Sequence, residues 1–460
     1  MSKIEFQKMG LTMEKSFFEL ADFAQTLLDG EEHFTLTLHA EDSTFVRFNH
    51  GQVRQAGEVR QAVLKLVLIC GKRQIQTSWS SSAGGAGATQ EQVIGQRKKL
   101  KDELERARFD LQVTADDPHL LLAGAQKSAV SIEKNFLPPS KDVVAAIVEE
   151  ASGLDLVGLL AMGGVVRAFA NDDGTRSYFE QASFHFDYSL FHDADKAVKR
   201  SIAGRQFVRG ELHDDVQAAK KELKLLALPA ITLAPQKVRV FLAPAAVAEL
   251  LTLLSWGGFS EKEHRTKNAS LIGMSEGKRS MHASVTLLED LVKGVGPSFS
   301  EDGFEVPAEV TLIRDGKYAA SLVSPRSAKE YGIEHNGAQA SESPIALHFL
   351  GGNLDDDDIL QRLGTGVLIN NLWYCNFSDR EHARVTGMTR FATFWVEDGV
   401  IKAPLNVMRF DDSLYNLFGA HLEGLTKTTK LMLDGDTYSE RKTHSMRCPG
   451  ALVSEMNFTL

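Results

Sequence analysis

The hydrophobic pattern of the chain begins with a helical period and then changes to an alternating one. Residues 12–29 place apolar side chains at intervals of three and four, and Gly30 follows as a stop signal. Residues 33–78 contain five short stretches in which apolar and polar residues alternate. Asn49-His50-Gly51 and Cys70-Gly71-Lys72 have the composition of turns. The pattern predicts an amphipathic opening helix and then a meander of four or five strands.

Helical and strand patterns follow each other through the rest of the amino-terminal half. The small-residue stretch from Ser80 to Ala88 predicts a flexible connection, and a charged helix follows to about Leu111. Ser140 is placed to cap a helix that ends near Ser152, and another helix ends near Leu226. Between these helices, one strand pattern has aromatic residues at every second position, which predicts a buried face. Its aromatic residues are Phe184, Phe186 and Tyr188.

Strand patterns dominate the carboxy-terminal half. After the strand-like segment KVRVFLA, Pro244 starts an apolar helix that ends at Gly257-Gly258. The stretch from Gly364 to Pro404 begins as an apolar strand and breaks at a polar excursion from Asn376 to Thr386. It then resumes, and the turn Glu397-Asp398-Gly399 predicts a tight hairpin. We interpret this stretch as the central part of an antiparallel β domain.

Composition narrows the class of protein. The chain has 460 residues and a formal net charge of −10, which argues against a nucleic acid as the main partner because phosphate binding requires a basic surface. Its three cysteines are too sparse for a disulfide framework. The opening residues MSKIEFQKMG lack an apolar run long enough for a signal peptide, and no later apolar run is long enough for a membrane helix. We therefore expect a cytoplasmic protein.

Four short motifs, taken in order, carry a family resemblance. They are Asp302-Gly303 with Val306-Pro307, the hairpin Arg314-Asp315-Gly316, the segment from Val385 to Arg390, and the turn Glu397-Asp398-Gly399. With them, nearly the whole chain resembles the TldD/PmbA (TldE) family.

The resemblance implies a fold, and the alternating strands agree with it. We predict an α+β protein. Residues 1–230 are expected to form an amino-terminal α/β domain with a curved mixed sheet. Residues 231–460 are expected to form a mostly antiparallel, barrel-like β domain of the TldD/PmbA type.

The resemblance also implies a particular metal site. In this family the TldD-type subunit is a zinc metallopeptidase whose helix carries a His-Glu-x-x-x-His motif, and a cysteine near the carboxy terminus completes the site. The matching helix here has Ala248 and Leu253 where the histidines would stand, so only Glu249 survives. Alanine and leucine offer zinc no lone pair. We therefore expect no catalytic residue and no metal ligand in this chain.

The predicted function follows from the missing histidines. The chain is expected to be a metal-free TldE/PmbA-like subunit, a pseudoenzyme that pairs with a TldD-like metallopeptidase subunit in a heterodimer. Zinc is expected in that partner, and unfolded or modified peptides are the expected substrates of proteolysis. No nucleic acid and no membrane is expected as a partner.

Two alternatives remain open. His444 stands four residues before Cys448, so an autonomous peptide hydrolase could use a rebuilt site there, although two further metal ligands would be needed. The chain could instead be a non-enzymatic peptide-binding homodimer that adds an extended peptide to an exposed strand edge.

Other chemistries lack their motifs. The sequence has no Gly-x-Ser-x-Gly elbow, no phosphate-binding loop and no dinucleotide fingerprint. The acidic run from Asp355 to Asp358 precedes a predicted helix, and acidic residues favour that end of a helix without any calcium ion. The polar excursion and the strand after it supply the candidates for contact with a peptide or partner subunit. These candidates are Arg380, His382, Arg384 and Arg390.

Overall fold

The computed structural model describes residues 3–81, 90–193 and 196–459. Apart from Ser80 and Ser81, the predicted flexible connection lies outside the described residues. The helices of the amino-terminal half are α1 (Lys3–Gln25), α2 (Gln90–Leu111), α3 (Ser140–Glu150) and α4 (Arg209–Leu226). Its strands are β1 (Glu32–Asn49), β2 (Gln52–Cys70), β3 (Arg73–Ser80), β4 (Val130–Ile132), β5 (Asp155–Asn171), β6 (Arg176–Asp193) and β7 (Lys196–Gly204).

The carboxy-terminal half contains mostly strands. Its strands are β8 (Gln236–Leu242), β9 (Leu287–Asp290), β10 (Glu309–Arg314), β11 (Lys317–Tyr318), β12 (Ala346–Phe349), β13 (Gly366–Asp379), β14 (Arg384–Glu397), β15 (Val400–Pro404), β16 (Arg409–Ser413), β17 (Leu422–Leu425), β18 (Lys430–Leu433), β19 (Ser445–Cys448) and β20 (Ala451–Phe458). Its α-helices are α5 (Pro244–Ser255), α6 (Glu261–Arg265), α7 (Ile272–Ser275), α8 (Pro325–Tyr331) and α9 (Ile359–Leu363). None of the described helices combines the length and apolar character that crossing a bilayer requires.

Three long strands, and not four or five short ones, follow the opening helix. The predicted turns at Asn49-His50-Gly51 and Cys70-Gly71-Lys72 are correct, but β1 and β2 each run without a break between them. Polar residues in the middle of β1 had suggested an interruption. The side chain of Glu41 is instead buried, where it accepts hydrogen bonds from Gln61 Nε2 (2.6 Å) and Ser43 Oγ (3.1 Å). Pairing across the sheet therefore allows the strand to continue.

The amino-terminal sheet is mainly antiparallel and contains one short parallel strand, which makes it mixed, as predicted. Its strand order is β3-β2-β1-β5-β6-β4, with β7 also paired to β6, and among the described strands only β4 runs parallel to its neighbour. Along β1, the even-numbered residues Phe34, Leu36 and Leu38 pack in one core with residues of α1 and α2. The odd-numbered Thr37 and His39 therefore point to the opposite face, which lies against the carboxy-terminal half.

Helices α2 and α3 lie where the sequence predicted them, but the start of α3 differs in detail. The charged helix is α2, which buries Leu100 and Leu104 on its inner side. Ser140 is not a cap: it is the first residue of α3, and Pro139 occupies the capping position without a side-chain hydrogen bond. The aromatic residues Phe184, Phe186 and Tyr188 are buried in the core, as predicted.

The carboxy-terminal half contains a closed barrel. Strands β13, β8, β20, β16 and β14 pair in that order, and β14 pairs with β13 to close the ring. A second sheet has the order β11-β10-β9-β12-β19-β18. The predicted hairpin joins β14 to β15, where Asp398 and Gly399 have φ angles of +49° and +76°. Two consecutive positive φ angles are what a tight hairpin turn of this type requires. The predicted α+β class is confirmed.

The two halves share one of their hydrophobic cores. Ala392 and Phe394 of the barrel strand β14 pack in the same cluster as Phe184 of β6 and Leu212 of α4. Shared burial of this kind joins the halves mechanically. The domain boundary near residue 230 stays a prediction.

Candidate functional site

Helix α5 occupies the position where the resemblance implies a metal-binding helix. Pro244 stands at its first position, where the missing N–H is not needed, and the helix packs against the barrel strand β13. Ala248 is partly buried against the core, and Leu253 is only 2% exposed within it. Both side chains are therefore packing residues, and neither could bind a metal ion.

Glu249 lies on the outer side of this helix. The residue is exposed as a whole, yet partial burial of its carboxylate raises its pKa, and Lys199 opposes that change. Burial also raises the pKa of the Cys375 thiol to about 12, with a further contribution from the charge of Glu249. Cys375 therefore remains a thiol at neutral pH and is a poor nucleophile.

The structure does not bring His444 and Cys448 together. Cys448, in β19, is completely buried, and its Sγ donates a hydrogen bond to the carbonyl of Pro244 at the start of α5 (3.1 Å). Burial raises the pKa of this thiol, although Lys430 opposes the change. His444 lies four residues earlier, a spacing of about 13 Å along an extended chain. It lines a cavity between the two halves of the molecule instead.

The described residues of the α5 region do not fit a zinc ion. Two cysteines there have the chemistry of a soft metal ligand, but the Cys448 sulfur faces a backbone carbonyl and burial keeps Cys375 protonated. Across residues 3–81, 90–193 and 196–459, no group of three or more His, Cys, Asp or Glu side chains is placed to hold a metal ion.

The polar excursion forms the end of β13, the turn at residues 380–383 and the start of β14. There, the Arg380 guanidinium donates to the Trp256 carbonyl, His382 Nδ1 lies 2.9 Å from Asp379 Oδ2, and Arg384 forms an ion pair with Asp411. The three candidate side chains are exposed, but each already has a partner within the chain.

Arg390 lies further along β14, away from the turn. Its guanidinium stacks over the rings of Trp373 (4.5 Å) and Phe391 (4.8 Å). Tyr374 and Phe391 have positive φ angles of 57° and 59°, and the strand register shifts at both places. Such bulges redirect side chains, and Tyr374 is 76% exposed. The four predicted contact residues therefore do not form one site.

Two adjoining cavities form a polar groove that the sequence did not reveal. They have volumes of about 320 and 400 Å³ and share Thr37, His39, Glu301 and Glu440 in their walls. The polar face of the amino-terminal sheet is their floor. His444 lines the first cavity, where burial lowers its pKa so that the imidazole is neutral at pH 7.

Glu440 is the central charge of the polar groove. Its carboxylate lies 3.1 Å from Arg167 Nη2 and 3.3 Å from His39 Nδ1. Burial alone would raise the pKa of Glu440, but the hydrogen bond with His39 and the charge of Arg167 outweigh it and lower the pKa to about 2. Burial lowers the pKa of Arg167, yet an arginine with this partner stays charged.

Arg441 attaches the carboxy-terminal half to the amino-terminal sheet. It is 4% exposed and donates hydrogen bonds to the carbonyl of Gly163 (3.0 Å) and to the carbonyl and hydroxyl of Ser183 (3.0 and 2.7 Å). Its backbone N–H donates to Glu41 (3.2 Å). A buried arginine with all these partners fixes the position of the chain across the sheet.

A further cavity, of about 780 Å³, lies between the halves and shares no lining residue with the polar groove. Strand β7 and the start of α4 line it from the amino-terminal half. Pro244 of α5 and strands β18 and β19 line it from the carboxy-terminal half. The cavity thus adjoins the α5 region, which the sequence had singled out for a different reason.

Sequence reasoning missed the polar groove, but one signal was present. Arg167 interrupts the apolar strand segment VVRAFA, and a charge in such a segment is rarely buried unless it has a partner. The partner, Glu440, is 273 positions away, so only the tertiary structure identifies it.

Comparison with known proteins identifies the carboxy-terminal half of the chain. Residues 235–460 match the family model described as the PmbA/TldA metallopeptidase C-terminal domain. None of the curated proteins matches this sequence.

Solved structures share the fold over nearly the whole chain. TldE from Thermococcus kodakarensis has a TM-score of 0.78 and 15% sequence identity, over 97% of this chain and 100% of that one. A proposed modulator of DNA gyrase from Thermotoga maritima has a TM-score of 0.74 and 14% identity, over 97% and 100% of the two chains. Another proposed modulator of DNA gyrase, from Bacteroides thetaiotaomicron, has a TM-score of 0.72 and 15% identity, over 97% of this chain and 98% of that one. At these identities the likeness shows the fold, and the match over residues 235–460 shows that the carboxy-terminal half of the chain belongs to the TldD/PmbA family.

Proposed function

We propose that this chain is the metal-free, non-catalytic subunit of a two-subunit TldD/TldE-type metallopeptidase in the cytoplasm. A TldD-like partner subunit binds the zinc ion and cleaves peptides. This chain helps to enclose the chamber in which an unfolded or modified peptide is held.

The observation that carries the proposal is the packing of helix α5. Leu253 is buried in the core, Ala248 packs at its edge, and the Cys448 thiol donates to Pro244. A catalytic zinc site needs three protein ligands and an open position for water. In this region two ligands are absent and the third is enclosed.

The polar groove is the surface of this chain that best suits a peptide. It combines ion-paired side chains such as Glu440 and Arg167 with the apolar walls formed by Phe169 and Phe299. Ligand sites commonly have this mixture of apolar wall and few convergent polar groups. We place the peptide in this groove in preference to the turn between β13 and β14, whose charged side chains are already paired.

Metal analysis of the purified chain tests the proposal. We expect less than a tenth of a zinc equivalent per chain after dialysis, and no cleavage of unfolded peptides by this chain alone. One tightly held zinc equivalent together with peptidase activity would refute the proposal.

Co-purification from the native host tests the partnership. A tagged copy of this chain is expected to retain a TldD-like subunit in equal amount, and the pair is expected to lose peptidase activity when zinc is removed. A homodimer without such a companion would instead favour the peptide-binding alternative. As a control for the rebuilt-site alternative, Cys448→Ala should leave the activity of the pair unchanged.

A further inference from the structure

The cavity of about 780 Å³ between the halves has charged walls. Its cationic side chains are Arg205, Lys293, Lys430 and Arg447. Its acidic side chains are Glu211, Asp215 and Asp356. The kind of ligand that the cavity suits depends on which of these charges already have a partner.

Two of the acidic groups are occupied by other residues. Asp215 accepts hydrogen bonds from Arg200 (3.0 Å) and from the hydroxyl of Tyr188 (2.6 Å). Asp356 accepts one from the hydroxyl of Thr428 (2.6 Å). The Arg200 guanidinium offsets the charge of Asp215, whereas the neutral Thr428 hydroxyl engages one oxygen of Asp356 and leaves its charge in place. Only exposed Glu211 is left without such a contact in the described part of the chain.

Lys430 contributes a half-buried ammonium group. Within the described ranges, no carboxylate lies within ion-pair distance of it, and it has no hydrogen-bond acceptor. Burial lowers its pKa, and Asp215 is the main group that opposes this change. An ammonium group in such a place lacks the partner that offsets its lost hydration.

Arg447 presents a second incompletely paired cation. Its Nε donates to the backbone carbonyl of Lys293 (3.4 Å), and none of the described carboxylates reaches the guanidinium as an ion-pair partner. Burial lowers the pKa of Arg447, and the nearby charge of Arg205 lowers it further, whereas Asp290 opposes this. Arg205 already forms an ion pair with Glu133 (3.0 Å), so Arg447 is the arginine of the cavity whose charge is left to attract an anion.

We propose that this cavity binds a carboxylate group of a peptide, with Arg447 and Lys430 as its principal contacts. The planar fork of an arginine matches the two oxygens of a carboxylate, and the Lys430 ammonium supplies a second donor. Lys293, on the exposed rim, adds attraction at the entrance. The choice of a peptide as the source of the carboxylate rests on the proposed function, and the cavity is a second peptide contact in addition to the polar groove.

Isothermal titration of the isolated full-length chain tests the proposal with four probes. N-acetyl-trialanine carries only a terminal carboxylate, N-acetyl-triglutamate amide carries only side-chain carboxylates, and N-acetyl-trialanine amide carries neither. Inorganic phosphate is the fourth probe. We expect at least one carboxylate peptide to bind, with affinity that falls as salt rises, and the uncharged amide not to bind. The peptide that binds shows whether the terminal or the side-chain carboxylate is recognised.

Substitutions of the cavity's cationic residues test whether the peptide binds in this cavity. Arg447→Gln and Lys430→Met should each weaken the carboxylate peptide about ten-fold or more, as expected for the loss of a charge-assisted hydrogen bond. Lys293→Met, which alters an exposed side chain, should weaken it about two- to three-fold. The control Arg314→Gln changes an exposed arginine elsewhere and should have no effect.

Three results would overturn the proposal. These are equal binding of the amide and carboxylate peptides, unchanged affinity in a folded Arg447→Gln variant, and tighter binding of phosphate than of either peptide. If Arg447→Gln or Lys430→Met fails to fold, unchanged affinity in the folded Lys293→Met variant has the same meaning. The binding assay contains no zinc and no partner subunit. It can therefore fail while the metal analysis and co-purification succeed, and the reverse also holds.

Discussion

Helix α5 and the polar face of the amino-terminal sheet differ in what they bury. The helix buries apolar side chains, with Leu253 inside the core where the family resemblance implies a histidine. The sheet face instead buries charge: Arg167 is 7% exposed and Arg441 is 4% exposed, and both have several partners. Apart from the outward-facing Glu249, charged side chains are thus absent from the helix, and they are concentrated where the halves of the molecule meet.

The largest expected effect comes from restoring the histidines to α5. The double variant Ala248→His, Leu253→His should lose about 4 kcal/mol of unfolding free energy, because a polar ring replaces a packed leucine. Urea unfolding measures the loss, and Ala248→His alone, at a less buried position, is the matched control. We also expect no tight zinc binding, since Cys448 is enclosed. Zinc held by a stable double variant would show that the two histidines were all that the site lacked.

Removing the buried arginine should be the next most harmful change. Arg441→Met leaves the Gly163 and Ser183 acceptors without donors, so we expect a loss of about 3 kcal/mol. Arg314→Met, at an exposed position with one side-chain hydrogen bond, should change stability by less than about 0.5 kcal/mol. Equal urea midpoints for the two variants would mean that charge on the sheet face is not structural.

A pH dependence should distinguish Glu440 from an exposed carboxylate. Its pKa is lowered from 4.5 to about 2, so its contribution is complete above pH 4.5 and is lost as pH falls through about 2. Allowing for partial exposure, we expect Glu440→Gln to lose about 2 kcal/mol at pH 7. The difference from the parent chain should shrink in acid. Glu58→Gln, on an exposed stretch of β2, should show neither the loss nor this trend.

A substitution in the turn between β13 and β14 should have the smallest effect on stability. His382→Ala removes an exposed contact with Asp379, and we expect a change below about 0.5 kcal/mol. The same variant sharpens the functional question. If the turn contacts the partner subunit or the peptide, as the sequence predicted, co-purification with the TldD-like subunit or peptide cleavage by the pair will fall although stability does not. Unchanged association and cleavage would assign the turn a structural role only.

Local signals in the sequence predicted local structure well. The turn at Asp398-Gly399, the helix that starts at Pro244 and the aromatic core face of β6 all depend on residues close together in the chain. The number of strands after the opening helix was wrong for the opposite reason. Glu41 resembles a strand break until its hydrogen bonds with Gln61 and the distant Arg441 are known.

The candidate sites also include features that the sequence predicted and features that only the tertiary structure revealed. The sequence alone determined that Ala248 and Leu253 cannot bind zinc, because the presence of a lone pair is a property of the side chain itself in any fold. Only the tertiary structure decided that Cys448 faces Pro244, that His444 lines a groove, and that Lys430 lies beside a cavity. Burial, pairing and pKa depend on atoms from distant parts of the chain. The residues therefore determined which chemistry was lost, and the folding of one half against the other determined where charged side chains gather.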